Sequence, residues 1–239
     1  MKTQTNASAF ILGIFIFIGL SSLGFLLGNA VVDFKQYDRS VTVKGLSERE
    51  QNADTVIWPI QFTAAGNDLE SLYGSIEQST ANIQEFLVKN GITPAELTFS
   101  SPAITDKSAQ QYGNNARAEF RYTAVQTVTV YSHNIEAVRS VMGKLSELGK
   151  RGIVFTGGNH QARTEYIFSR LNEIKPEMIE EATRKAREVA EKFASDSQSK
   201  LGKIKRASQG QFSIRARNNN HPHIKKIRVV STIEYYLSD

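Results

Sequence analysis

His221 and His223 flank Pro222 in a basic run, and two imidazoles so spaced offer nitrogen donors to a transition metal. A tight site wants three or four ligands, and neither acid nor cysteine stands near them, so the expected reading is an exposed turn. Asp54 with Glu48 and Glu50 supplies carboxylates for acid–base work, yet all three fall about a predicted hairpin turn, where such groups are ordinarily just solvated. Gly157-Gly158 follows Val154-Phe155, but no Gly-Lys-Ser/Thr comes after it and no helix opens there, so no phosphate cradle is expected. There is no Gly-x-Ser-x-Gly elbow for a serine hydrolase. Cysteine is absent, which excludes disulfides, thiolate nucleophiles, thiolate metal sites and lipid attachment through sulfur. His133 and His160 fall at the ends of predicted elements and read as surface groups. No catalytic, cofactor-binding or metal-binding residue emerges, and a non-enzymatic protein is expected; a hydrolase would need a pocket with convergent titratable groups.

Charge is the stronger signal. The formal net charge is +5, but residues 200–228 hold nine Lys or Arg and no acid, leaving 20 basic against 24 acidic residues elsewhere. Lys203, Lys205, Arg206, Arg215, Arg217, Lys225, Lys226 and Arg228 therefore form a candidate surface for an anionic lipid or glycan, the plainer reading being a solvated basic face. Nucleic acid is not an expected partner.

These groups are delivered by what precedes them. Residues 3–32 carry no charge, and 10–32 (FILGIFIFIGLSSLGFLLGNAVV) are dominated by apolar side chains. At 1.5 Å per residue a helix of that length crosses the roughly 30 Å of bilayer hydrocarbon, so 1–32 is read as an N-terminal membrane anchor. The alternative is a cleaved signal peptide, with Lys2 as the basic start and Gly28-Asn29-Ala30 as the peptidase site; the apolar run exceeds the usual h-region of about 7–15 residues. Either way the rest of the chain is expected outside the cytoplasmic membrane, single-pass if anchored and soluble in the periplasm if cleaved. Lys35, Arg39, Lys44 and Arg49 behind the segment oppose that orientation, a bias that loses force ahead of long domains. Gly24 and Gly28 form a Gly-x-x-x-Gly pair, a possible helix–helix contact in the membrane, although glycine is common in such helices anyway.

Beyond a polar tether at 33–39, the expected unit is an α+β domain at 40–239: a largely antiparallel sheet packed by three long helices. Strands are predicted at 40–48 and 53–65, the second with Val56, Trp58, Ile60 and Phe62 on one face and with Pro59 placing it at an edge or on a bulge. A helix follows, capped by Asn67 or Asp68, with Leu69, Leu72, Tyr73, Ile76, Thr80, Ile83 and Leu87 as its stripe and Asn90-Gly91 as its stop. Residues 97–105 and 119–131 read as an antiparallel pair joined by a polar loop, and a second helix carries Ile135, Val138, Val141, Met142, Leu145 and Leu148. Short strands at 153–156 and 165–170 precede a third helix with Pro176 in its first turn, Ala182, Ala186, Ala190 and Ala194 one turn apart, and Leu201-Gly202 at its end. One or two strands within 203–217 and a last one at 224–237 finish the chain. Trp58, Tyr73, Phe120, Tyr122 and Tyr235 are placed on core faces.

In that order the residues resemble the SIMPL-domain family of exported bacterial proteins, which includes periplasmic immunogenic proteins and an envelope protein linked to oxidative stress. The similar features are Val41-x-Val43-x-Gly45 followed by Ala53-Asp54, Asn90-Gly91-Ile92, Tyr122-x-Ala124, Ile153-Val154-Phe155, the Ala182, Ala186, Ala190 spacing and Leu201-Gly202-Lys203-Ile204. The resemblance runs over about 40–237. Where the family often carries a second glycine two places after the first, this chain has Ser47. The resemblance implies a cell-envelope domain with no established catalytic residues, a tendency to form homo-oligomers, and a role in envelope integrity or stress protection.

Overall fold

The computed structural model describes residues 3–37, 39–109, 119–156 and 163–238. In chain order the elements are α1 (Thr3–Tyr37), β1 (Ser40–Asn52), β2 (Thr55–Gly66), α2 (Leu69–Lys89), β3 (Leu97–Phe99), β4 (Ala103–Asp106) and β5 (Tyr122–Ser132). There follow α3 (Ile135–Met142), α4 (Ser146–Gly149), β6 (Val154–Phe155), β7 (Glu165–Ile167), α5 (Leu171–Asp196), β8 (Lys200–Gln209), β9 (Ser213–Ala216) and β10 (Ile224–Ser238). The α+β class expected from the sequence holds, with an apolar N-terminal helix and antiparallel sheets. The helix runs on to Tyr37, so most of the expected tether is helical.

The chain divides into two compact units. One comprises Met1–Glu48, Ile174–Ser213 and Arg228–Asp239; the other comprises Arg49–Glu173 and Ile214–Ile227.

In the first unit β10 lies between β1 and β8, and α5 covers one face. Alternation along β1 buries Val43, Gly45 and Ser47, and along β10 it buries Val229, Ser231, Ile233 and Tyr235. Ala182, Ala186, Ala190 and Ala194 present no side chain beyond Cβ, so the helix backbone comes down onto the strand. At Gly45 the approach is closest. A Cβ there would overlap the Ala182 carbonyl oxygen and stand 2.5 Å from the Ala186 amide nitrogen. Ser47, which stands where the family often has a second glycine, is fully buried in the strand and its hydroxyl donates to Glu181 Oε2 of α5 at 2.8 Å.

In the second unit the sheet order is β3-β5-β2-β6, with β4 also on β5 and β7 also on β2. Val56, Trp58, Ile60 and Phe62 pack with Leu72, Ile76, Ile83, Phe86 and Leu87 of α2 and with Val138, Val141 and Leu148. Asp68 caps α2 by accepting from Ser71 N at 2.8 Å. Thr80 enters the apolar stripe because its hydroxyl donates to Gln126 Oε1 at 2.9 Å, while Gln126 Nε2 donates to the Ser100 carbonyl.

Several expectations are corrected. β2 is interior rather than an edge, pairing with β5 along its length, Pro59 opposite Thr129. Its other side meets β7 at 55–57 and β6 at 62–63 only. The Gln61 carbonyl accepts from Thr156, and backbone groups two residues apart in a strand point the same way, so the missing Pro59 donor faces the gap between those short strands. The single strand expected at 97–105 is two, β3 and β4, interrupted at Ser100-Ser101-Pro102. The expected second long helix breaks at Gly143 into α3 and α4. Pro176 sits six residues into α5, which starts at Leu171, and α5 ends at Asp196, so Leu201-Gly202 belongs to β8. Tyr73 and Phe120 are 47% and 38% exposed, whereas Trp58 and Tyr235 are core.

Candidate functional site

The groups with chemical potential in the second unit converge at the junction of β5 and α3. Asn52, Ala53, His133, Asn134, Ile135, Glu136, Arg139 and His223 line a cleft of about 610 Å³. Asn134 caps α3, its Oδ1 accepting from Ala137 N, and that fixes His133 just before the cap and Glu136 and Arg139 on successive turns after it. The ladder end between Ala53 N and the His223 carbonyl, 2.8 Å, holds His223 opposite.

Each imidazole is held from outside the cleft. His133 Nδ1 lies 3.1 Å from Thr55 Oγ1 and 3.1 Å from the Asp54 carbonyl oxygen, leaving Nε2 as the ring nitrogen open to a ligand. The His223 ring stands edge-on to Tyr166 at 6.0 Å and 5.9 Å from the His221 ring. Burial, the Arg139 charge and His221 together hold the His223 imidazole below its ordinary pKa. His221 is turned to its own loop, with Nδ1 3.1 Å from Asn218 Oδ1. Among the described residues no three His, Cys, Asp or Glu side chains group as metal ligands.

Of the candidate carboxylates, Asp54 and Glu50 are engaged in contacts that hold the fold. Burial pushes the Asp54 carboxyl up, but hydrogen bonds from Ser169, Thr55 and Arg170 outweigh it and hold the group below its ordinary value. Ser169 N donates to Asp54 Oδ2 at 2.8 Å, so Asp54 ties β2 to the end of β7. Glu50 pairs with Arg217 at 3.4 Å. Gly157-Gly158, His160 and the tip of the loop before β5 lie outside the described residues.

The eight basic candidates split evenly between the units. In the first, Lys203, Arg206 and Arg228 are exposed, and Lys205 pairs with Glu234 at 3.5 Å and lies over the Tyr236 ring at 5.4 Å. Arg206 lines a groove of about 320 Å³ with Thr42, Ser208, Thr232 and Glu234. In the second, Arg215 and Lys226 are exposed, Arg217 meets Glu50, and burial pushes the Lys225 amine down against the pull of Glu165. The sequence cluster is thus two smaller groups, each already facing an acid. Gly24 and Gly28 lie on the exposed surface of α1, where a Cβ added at either would meet nothing within 4 Å. Phe10–Ala30 is the one helix among the described residues long and apolar enough to cross a membrane.

Comparison with known families adds one decisive match: residues 41–229 fit the model of SIMPL, a protein of unknown function (DUF541). The chain belongs to the SIMPL family. No curated protein matches it. The SIMPL stretch runs from β1 into the first part of β10 and leaves α1 outside it. Nothing in the spacing of Glu136, Arg139, Asn134 and Asn52 marks them as a site in the sequence, which places His133 at an element end and His223 in an exposed turn. The cleft joins three distant segments, and the only local signal for it was the cap at Asn134.

Proposed function

We propose that this SIMPL protein is a non-enzymatic cell-envelope protein, anchored in the cytoplasmic membrane through residues 10–32 with its C-terminal part outside, where it self-associates and protects the envelope, including under oxidative stress. The observation that carries the reading is α1: Phe10–Ala30 is strongly apolar and carries no charged residue, and the helix stops at Tyr37, three residues before β1. Self-association is supported by β1 and β8, which end the four-stranded sheet with one neighbour each among the described residues. Such edges offer unpaired N–H and C=O groups to another copy. Ile204 on β8 and Phe193 on α5 are exposed apolar groups in the same unit.

The test is light scattering coupled to size exclusion on the full chain in detergent. A protein mass of two or more chains at micromolar concentration is expected, and a strict monomer removes the assembly. A second reading, docking of anionic lipid or glycan, is favoured by Lys203, Arg206, Arg215 and Arg228, which are exposed and form no ion pair within 4 Å among the described residues. Its weakness is the acid already facing Lys205 and Arg217.

A further inference from the structure

We propose that the cleft at the start of α3 binds a small zwitterion of the amino-acid or short-peptide class, its carboxylate on Arg139 and its ammonium on Glu136. The proposal rests neither on the anchor nor on self-association.

Three features carry it. First, the cleft's volume of about 610 Å³ lies inside the range of roughly 300–1,000 Å³ usual for small-molecule sites. Second, Glu136 and Arg139 are opposite charges three residues apart on α3, a spacing at which side chains are neighbours and often pair. Here no ion pair within 4 Å joins them to each other or to another described residue, and both line the cleft. Third, the two imidazoles contact residues outside the cleft, His133 meeting Thr55 and Asp54 and His223 meeting Tyr166 and His221. They are positioned hydrogen-bonding groups, and Ala53 and Ile135 supply an apolar surface for a short side chain.

The alternatives fail on charge. A lone anion would meet Glu136 and a lone cation would meet Arg139; only a ligand carrying both signs satisfies both. Burial first, and then the Arg139 charge, disfavour protonation of His223.

The four histidines of the chain make the experiment direct. The full protein in detergent, with its histidine ring carbons labelled, is titrated near neutral pH and constant ionic strength with alanine, dialanine, acetate and methylammonium. Alanine or dialanine is expected to move the His133 and His223 resonances saturably while His221 moves little, and the tighter of the two assigns the size class. Acetate and methylammonium should bind at least about tenfold more weakly, since each leaves one charged contact unmade. Arg139→Gln and Glu136→Gln should each weaken binding by a similar factor, the unchanged His221 resonance reporting an intact fold. The proposal is overturned by acetate or methylammonium binding as tightly as the zwitterions, by unaltered binding in either variant, or by no saturable shift with any probe.

Discussion

Gly45→Ala is expected to destabilise the protein by about 3 kcal/mol or more, at or beyond the top of the usual range for overpacking. The added methyl would collide with the Ala182 carbonyl and the Ala186 amide nitrogen, both backbone atoms. A flexible side chain can swing aside, but a helix backbone can yield only by lifting α5 off the sheet. That would open the contacts of Val43, Ala186, Ala190, Ile233 and Tyr235 together. Gly74→Ala is the matched control, because nothing lies within 4 Å of it in α2. There the loss of glycine's backbone freedom should stabilise the helix by about 0.5–1 kcal/mol. Urea unfolding of the two variants should therefore move in opposite directions from the wild type. If Gly45→Ala unfolds with the wild type, the strand and helix backbones are not in direct contact.

Phe62→Ala should cost about 3–5 kcal/mol. Phe62 is fully buried on β2, opposite Gln126 of β5 on one side and Phe155 of β6 on the other, within the cluster that also holds Leu72 and Val128. Removing the ring leaves a cavity between a sheet and α2, and a sheet bonded on both sides cannot collapse to fill it. Phe99→Ala on β3, where the ring is 40% exposed, should cost less than about 1 kcal/mol. Equal losses in urea unfolding would contradict the placement of the core.

The two sites differ in how far the chain announces them. The face of β2 was legible because alternation at a period of two puts Val56, Trp58, Ile60 and Phe62 on one side whatever the partners are. The stripe of α2 was legible for the same reason, except that Tyr73, next to Leu72 in sequence, is turned about 100° away and lies open to solvent. Pro59 misled because its cost depends on which flank its missing donor faces, and only pairing decides that. A strand interior can carry Ser47 in place of the family's glycine because α5 supplies Glu181 as a hydrogen-bond partner, which a single sequence does not report. The break at Gly143 and the early start of α5 reflect end effects that periodicity does not report. The charges in 200–228 were legible as a sum, but the pairing of Arg217 with Glu50 and of Lys205 with Glu234 was not, since Glu50 lies far away in the chain and Glu234 meets Lys205 only through the pairing of β8 with β10. The cleft was least legible of all, being assembled from residues 52–53, 133–139 and 223.

Everything proposed about where this protein works rests on Phe10–Ala30 remaining attached. Mass spectrometry of the N-terminus from separated membrane and soluble fractions measures that directly. An intact N-terminus, confined to the membrane fraction, is the expected result. A chain beginning at Val31 in the soluble fraction would show cleavage after Ala30 and contradict the anchor.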